Sequence, residues 1–341
     1  MTTADPAGVR EHAAAGAEDV DTGRADVRPA LRRLGAVGAL GAEDDDPTAA
    51  LVAAVRLVRQ VAAASLATAF SIWSQRMVLE YLRFCPPPPS MAGLVRQLRA
   101  GEVTGATALA PAVADPTAAA ELPVSARPDG AGWRLSGTVG WASNLFDDAV
   151  VVVPVHAPDE GRMVVQFRRT DDGVTPTAPH RLVGLNGTGT GALHLDGVAV
   201  SPEQVLSEDL TSFVAMCRPA KLLLQTSLAV GLADAALTAS ARHVSGVLRA
   251  EHEDVVANRD DVGRRVDDLA ADRVGVGPGG LARLRLAGLQ VAADAVRLEV
   301  AVSGAGGYRA GTDTARRVRE AAFLPVQAPS YAQLRREVAA S

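Results

Sequence analysis

The chain is predicted to be an α+β protein, ordered as helices, then an antiparallel sheet, then helices again. Three observations carry that expectation. Apolar residues continue from Leu51 through Leu82 and lie nearly all round the helix near its middle, as in a helix packed between others. From Thr104 to Val200 the pattern changes to short strand-like runs separated by Asp-Gly, Pro-Asp-Glu-Gly and Asp-Asp-Gly. Beyond Leu206 the helical period returns and stays.

Residues 1–45 are rich in Ala, Gly and Asp with little periodicity, which predicts a flexible tail carrying at most a short helix around Val27 to Leu34. Asp46-Pro47 then opens a helix, a side-chain cap followed by proline at the first helical position. The stretch from Leu51 to Leu82 makes one long helix or two, stopped by Cys85 and Pro86 to Pro89, because consecutive prolines cannot donate helical hydrogen bonds. A shorter helix over Met91 to Ala100 ends at Gly101, completing an N-terminal helical domain over 46–105. Candidate strands follow at Glu121 to Ala126, Trp133 to Ser136, Ala149 to Val155, Met163 to Phe167 and Gly191 to Val200. No helix of ten residues interrupts them, so a middle antiparallel β-barrel or sandwich is expected over 106–208. The last region, 209–341, carries helices over Ala220 to Val244, over Leu281 to Val302 and from Thr314 onward. Between them, Leu248 to Arg273 is dense in both signs of charge and reads as a solvated helix or loop, and Gly275 to Gly280 as a turn.

Composition narrows the function. With 48% apolar and 21% charged residues, the 341-residue chain is an ordinary globular protein. A net charge of −5 gives no basic face for nucleic acid. Cys85 and Cys217 are too few for a disulfide framework or a structural zinc site, and no pair of histidines has metal-ligand spacing, so no metal is expected. The N-terminus has no apolar signal region, and the longest uncharged apolar stretch, Val61 to Ser74, is too short to cross a bilayer. A soluble cytoplasmic protein with no membrane partner is expected. Lys221 is the only lysine, which reads as compositional bias.

Four stretches stand out in order. They are GEVTGATALAP from Gly101 to Pro111; WRLSGTVGWASN from Trp133 to Asn144; VGLNGTGT from Val183 to Thr190, running on to DGVAVSP from Asp196 to Pro202; and GAGGY from Gly304 to Tyr308, followed by Arg319-Glu320-Ala321. Together, over 46–341, they resemble the acyl-CoA dehydrogenase superfamily. That resemblance implies an N-terminal helical domain, a middle β-domain and a C-terminal four-helix bundle. It further implies a homodimer or homotetramer built through the bundle, and a flavin cofactor, FAD by default with FMN as an alternative.

Trp141 and Ser143 are the leading site residues. Positions i and i+2 of a strand share a face, so a flat ring can stack on the indole while a hydroxyl donates to it. The residues alone leave open a core tryptophan beside a strand-end turn at Ser143-Asn144; the resemblance places Trp141 against the isoalloxazine and Ser143 near flavin N5. Gly304, Gly306, Gly307 and Tyr308 form a glycine cluster that lets backbone amides approach an anion. In the resemblance this loop holds the ADP part of FAD across a subunit interface, although Ala305 and Ala301 replace a glycine and a glutamine of the family pattern. The family's R-x-x-F-G element has no counterpart in Arg242 to Arg249.

The catalytic residue is unassigned. The family removes the α-proton with a Glu in an I-Y-E-G-T segment after R-D-A. Here Val326 to Ser330 occupy that register, and Ala328 stands where the Glu should be. Arg218 to Val244, the other place a family member puts its Glu, has Asp234 as its only acid. The L-T-E-P-G-A-G-S-D element becomes Ala108 to Asp115 and loses its Thr and Ser. The reading is therefore a flavin-dependent oxidoreductase acting on an acyl thioester or a related small organic substrate. Two alternatives stand beside it: a reduced-flavin-dependent monooxygenase served by a separate flavin reductase, and a degenerate subunit paired with an intact homologue. Trp73, Gln75, Arg76 and Glu80 are candidate pocket residues, with an amphipathic helix carrying an Arg76–Glu80 ion pair as the plainer reading.

Overall fold

The computed structural model describes residues 6–41, 46–84, 88, 91–114, 122–158, 161–272 and 276–341. Cys85 and most of the proline run, Asp115, Glu121, the Asp159-Glu160 turn and Gly275 lie outside the described residues.

Three helices, α1 (Pro6–Ala15), α2 (Ala17–Thr22) and α3 (Arg28–Ala36), occupy the region expected to be a flexible tail. Val9, Val20, Val27, Leu31, Leu34 and Leu40 are buried in the helical core, so this region belongs to the fold. Val27, Leu31 and Leu34 share one helical face, but their burial depends on surfaces that distant elements supply. Helices α4 (Pro47–Ala62) and α5 (Leu66–Phe84) follow, dividing the Leu51 to Leu82 run in two. The Asp46 carboxylate caps α4 by accepting from the Ala49 N–H at 2.9 Å. Every residue of α5 from Leu66 to Leu82 is buried. Helix α6 (Ala92–Arg99) stops at Gly101, whose φ of +67° suits glycine and where a Cβ would fall 2.3 Å from the Leu31 carbonyl oxygen.

The middle region comprises β1 (Gly105–Thr107), the single-turn α7 (Ala110–Ala114), β2 (Val124–Asp129), β3 (Gly132–Ala142), β4 (Val150–Ala157), β5 (Gly161–Arg168), β6 (Val174–Pro176), β7 (Gly191–Val200) and β8 (Val205–Ser207). They form one sheet in the order β6-β7-β3-β2-β4-β5-β8, with β1 pairing to β4 off this path. Most neighbours are antiparallel, but β1 and β2 run parallel to β4. Both are joined to it by crossing connections, which a purely hairpin-linked sheet lacks. The unbroken apolar run of β4 is explained by burial on both faces: Val150 and Val152 face the helical core, while Val151, Val153 and Val155 face the core of the sheet.

The C-terminal region holds α8 (Leu210–Ser240), α9 (Leu248–Ala271), α10 (Pro278–Gly307), α11 (Asp313–Phe323) and α12 (Tyr331–Ala340). Helix α8 packs against α4, α5, α9 and α10. Gly231 permits the α4 contact, because a Cβ there would lie 2.2 Å from the Arg59 carbonyl oxygen. By length and composition α8 could cross a membrane, yet 78% of its most apolar window is buried inside the protein. The charge-rich stretch forms the full helix α9, with Val255, Val262, Val266 and Ala270 turned inward at helical spacing. Gly304, at φ +55° and ψ −151°, kinks α10 before its last turn.

Candidate functional site

A cavity of about 660 Å³ opens where the end of β3 and the 182–190 loop meet α5, α8 and the segment after α11. That volume lies within the range of small-molecule sites, roughly 300–1,000 Å³. Its walls are largely apolar, with Trp141, Ser143 and Thr190 on the sheet side. Phe70 and Trp73, Lys221, and Phe323, Gln327 and Ala328 line the helical side.

Trp141 is no core residue: it is 62% exposed, with Val183 and Val326 exposed beside it on the same cavity. The His180 ring lies against one part of the indole at a centroid distance of 4.3 Å. An exposed tryptophan at an apolar cavity offers a face to a flat ligand. Trp73 contrasts with it, being buried and stacked on Phe70 at 5.3 Å.

Ser143 heads a chain of buried hydroxyls. Its Oγ lies 2.7 Å from Thr190 Oγ1, which lies 2.8 Å from Thr188 Oγ1, and the Thr188 hydroxyl donates to the Leu185 carbonyl at 2.8 Å. A carbonyl can only accept, so the single hydrogen of Thr188 is committed to it. Thr190 must then donate to Thr188, and Ser143 to Thr190. Ser143 therefore presents lone pairs to a ligand, where the sequence reading expects a donor.

The loop behind these residues is fixed by the N-terminal region. Leu185 has φ +61°, in the left-handed region, and its N–H donates to Asp21 Oδ1 at 2.8 Å. The Asn186 side chain donates to the Asp21 carbonyl at 3.0 Å. Arg319, which also lines the cavity, donates to Asp21 Oδ2 at 2.7 Å and pairs with Glu18 at 3.2 Å. Asp21 is fully buried, so this carboxylate ties the start of the chain to both the cavity loop and α11.

The remaining sequence-predicted residues distribute as follows. Trp73 lines the cavity, whereas the Gln75 side chain donates to the carbonyls of Leu98 and Val103 and accepts from the Gly105 N–H, holding α5 to the start of the sheet. Arg76 donates to the Leu40 carbonyl, and Glu80 pairs with Arg83 at 2.9 Å, one turn away in the direction opposite to Arg76. Asp234 pairs with Arg259 and does not line the cavity. Gly304, Gly306, Gly307 and Tyr308 are not among the lining residues either, and Tyr308 is 84% exposed.

Ala328 does line the cavity, and among the described residues no Asp or Glu does. Nearby Glu320 is fully buried and serves structure: its Oε1 accepts from the Leu66 N–H that begins α5 at 3.0 Å and from Arg316 at 2.8 Å. Burial pushes its carboxyl up to about 7 despite those partners. Lys221, passed over in the sequence as a matter of composition, is a lining residue and is buried. Burial, reinforced by the Arg218 charge, pushes its ammonium down to about 8.

No protein-family model matches the chain, and no curated protein matches it. Among solved structures, a glutaryl-coenzyme A dehydrogenase in complex with glutaryl-CoA superposes at a TM-score of 0.86 and 18% identity, covering 98% of this chain and 93% of that one. FkbI, described for biosynthesis of a methoxymalonyl extender unit, gives 0.80 and 20% identity, with 98% of each chain covered. Butyryl-CoA dehydrogenase from Megasphaera elsdenii gives 0.82 and 16% identity, covering 96% of this chain and 94% of that one. The chain has the fold of the acyl-CoA dehydrogenases.

Proposed function

We propose that the protein is a flavin-dependent oxidoreductase of the acyl-CoA dehydrogenase superfamily, acting on an acyl thioester or a related small organic substrate. The observation that carries this reading is the exposed Trp141 indole on an apolar cavity of about 660 Å³, with the Ser143 hydroxyl on the same wall. These residues fit a flavin: a flat aromatic face for the ring, a polar atom for its heteroatom edge, and apolar walls that exclude water. FAD is the expected group, since a solved neighbour of the same fold is a complex with FADH2. Bound there, the flavin supplies electron and hydride exchange with an organic substrate.

The chain's own residues do the positioning. Trp141 supplies the stacking surface, and Ser143 accepts a hydrogen bond through a relay anchored on the Leu185 carbonyl. Asp21 and Arg319 hold the loop that carries that relay. Gly304 to Tyr308 lie apart from the cavity with Tyr308 exposed, which suits a role toward the flavin of a neighbouring copy in a homodimer or homotetramer.

A second reading, oxygen chemistry with reduced flavin, is favoured by one observation. Proton removal α to a thioester needs a placed base, and no carboxylate lines the cavity among the described residues. Purified protein titrated with FAD and with FMN separates the cases. A bound flavin spectrum that bleaches anaerobically with acyl thioesters supports the first reading. Oxygen-dependent product formed only when reduced flavin is supplied supports the second. Absence of binding by either flavin in either redox state overturns both.

A further inference from the structure

Lys221 is the sole lysine of the chain, and it stands buried in the wall of a largely apolar cavity. It has no hydrogen bond or ion pair among the described residues; the charged group nearest along its own helix is Arg218, of like sign, beside the Cys217 thiol. The other cation on the cavity, Arg319, is already neutralised by Asp21 and Glu18. A buried ammonium without a counter-ion is costly, and an anion entering the cavity would offset that cost.

Placement narrows where that anion sits. Gln225, one helical turn after Lys221 on the same face of α8, donates through Nε2 to the Ala328 carbonyl at 2.9 Å. Lys221 thus lies on the helical side of the cavity, which it lines together with Gln327 and Ala328. The neighbouring Gln327 amide has its oxygen committed to Arg285 at 3.3 Å, and its Nε2 donor is buried without a partner. The helical wall therefore offers hydrogen-bond donors and, among the described residues, no carboxylate.

We propose that Lys221 selects a substrate carrying a carboxylate, whose negative charge pairs with its ammonium inside the cavity. This rests on the cavity being the substrate site of the flavin reading above. With the ammonium titrating near 8, the amine is mostly charged at neutral pH and an entering carboxylate holds it so.

The test uses half-thioesters of malonic, succinic and glutaric acid with N-acetylcysteamine, each compared with its neutral methyl ester. Binding is measured calorimetrically on the full chain, both flavin-free and titrated with FAD. At least one acid should bind about 10-fold or more tightly than its ester, the gain of a charge-assisted hydrogen bond. Lys221→Met should abolish the preference, and Lys221→Arg should retain part of it. Equal affinity for all three acid and ester pairs overturns the proposal without any variant being made. So does a preserved preference in Lys221→Met, or loss of FAD uptake by that variant, which would assign the lysine to the cofactor instead. FAD uptake by the wild type is scored separately, so failure of the flavin reading is distinguished from failure of the carboxylate preference.

Discussion

The hydroxyl oxygens of Ser143 and Thr190 lie 2.7 Å apart, and the hydrogen between them belongs to Ser143. Its ownership is decided at the far end of the relay, where Thr188 can only donate to the Leu185 carbonyl. On the flavin reading proposed above, with Ser143 toward N5, a reduced flavin would offer a donor there and an oxidised one an acceptor, so an accepting Ser143 would favour the reduced form. Thr190→Val removes the acceptor and frees Ser143 to donate. The midpoint potential of bound flavin should fall by about 20 mV, the two-electron equivalent of one hydrogen bond of about 1 kcal/mol. Spectroelectrochemistry of wild type and variant measures it.

Trp141→Ala separates binding from folding. The indole is 62% exposed, so its removal costs the fold little, within about 0.5 kcal/mol in chemical denaturation. Flavin affinity should fall by about 10-fold or more as the stacking surface disappears. A variant that keeps full cofactor occupancy at limiting flavin contradicts the stacking role.

Lys221 makes stability depend on pH in a definite sense. Its folded value of about 8 lies below the ordinary 10.5, so between those limits the unfolded chain binds more protons. Stability then rises with pH across that window as the buried charge is relieved, and the cost is constant below it. Lys221→Met should accordingly be more stable than wild type by roughly 1–3 kcal/mol near pH 7, with the advantage shrinking toward pH 10.5. Urea unfolding of both proteins across that range reads the trend.

Glu299 and Arg317 form a buried bidentate pair between α10 and α11, at 2.7 Å from Nε and 2.5 Å from a terminal nitrogen. The Thr314 hydroxyl adds a third bond to the same carboxylate at 2.6 Å. Glu299→Gln leaves the buried Arg317 without a counter-charge and should cost about 3–5 kcal/mol, measured as a lower denaturation midpoint. Breaking a surface pair such as Arg264–Asp261 should cost under about 1 kcal/mol.

Much of the framework is legible in local pattern. The Asp46-Pro47 start, the two-sided apolar run of β4 and a helix across Ala220 to Val244 follow from capping chemistry and periodicity, although α8 runs from Leu210 and already ends at Ser240. The N-terminal region is not legible in this way. Val27, Leu31 and Leu34 supply only a short apolar face, and Asp21 looks like one acid among many until Leu185 and Arg319 close on it. The Arg76–Glu80 spacing likewise suggests a local pair, while packing sends Arg76 to the Leu40 carbonyl and Glu80 to Arg83.

The sequence by itself determined the order of helices, sheet and helices, because periodicity is a property of neighbouring residues, while Trp141 and Ser143 stood out only through the family resemblance. Only the tertiary structure decided which way the Ser143 hydroxyl points, that Asp21 braces the cavity from 298 positions away from Arg319, and that the lone lysine stands in the cavity wall. Hydrogen-bond direction and the burial of a charge depend on which distant groups are brought within a few ångströms, and no local pattern in the chain encodes that distance.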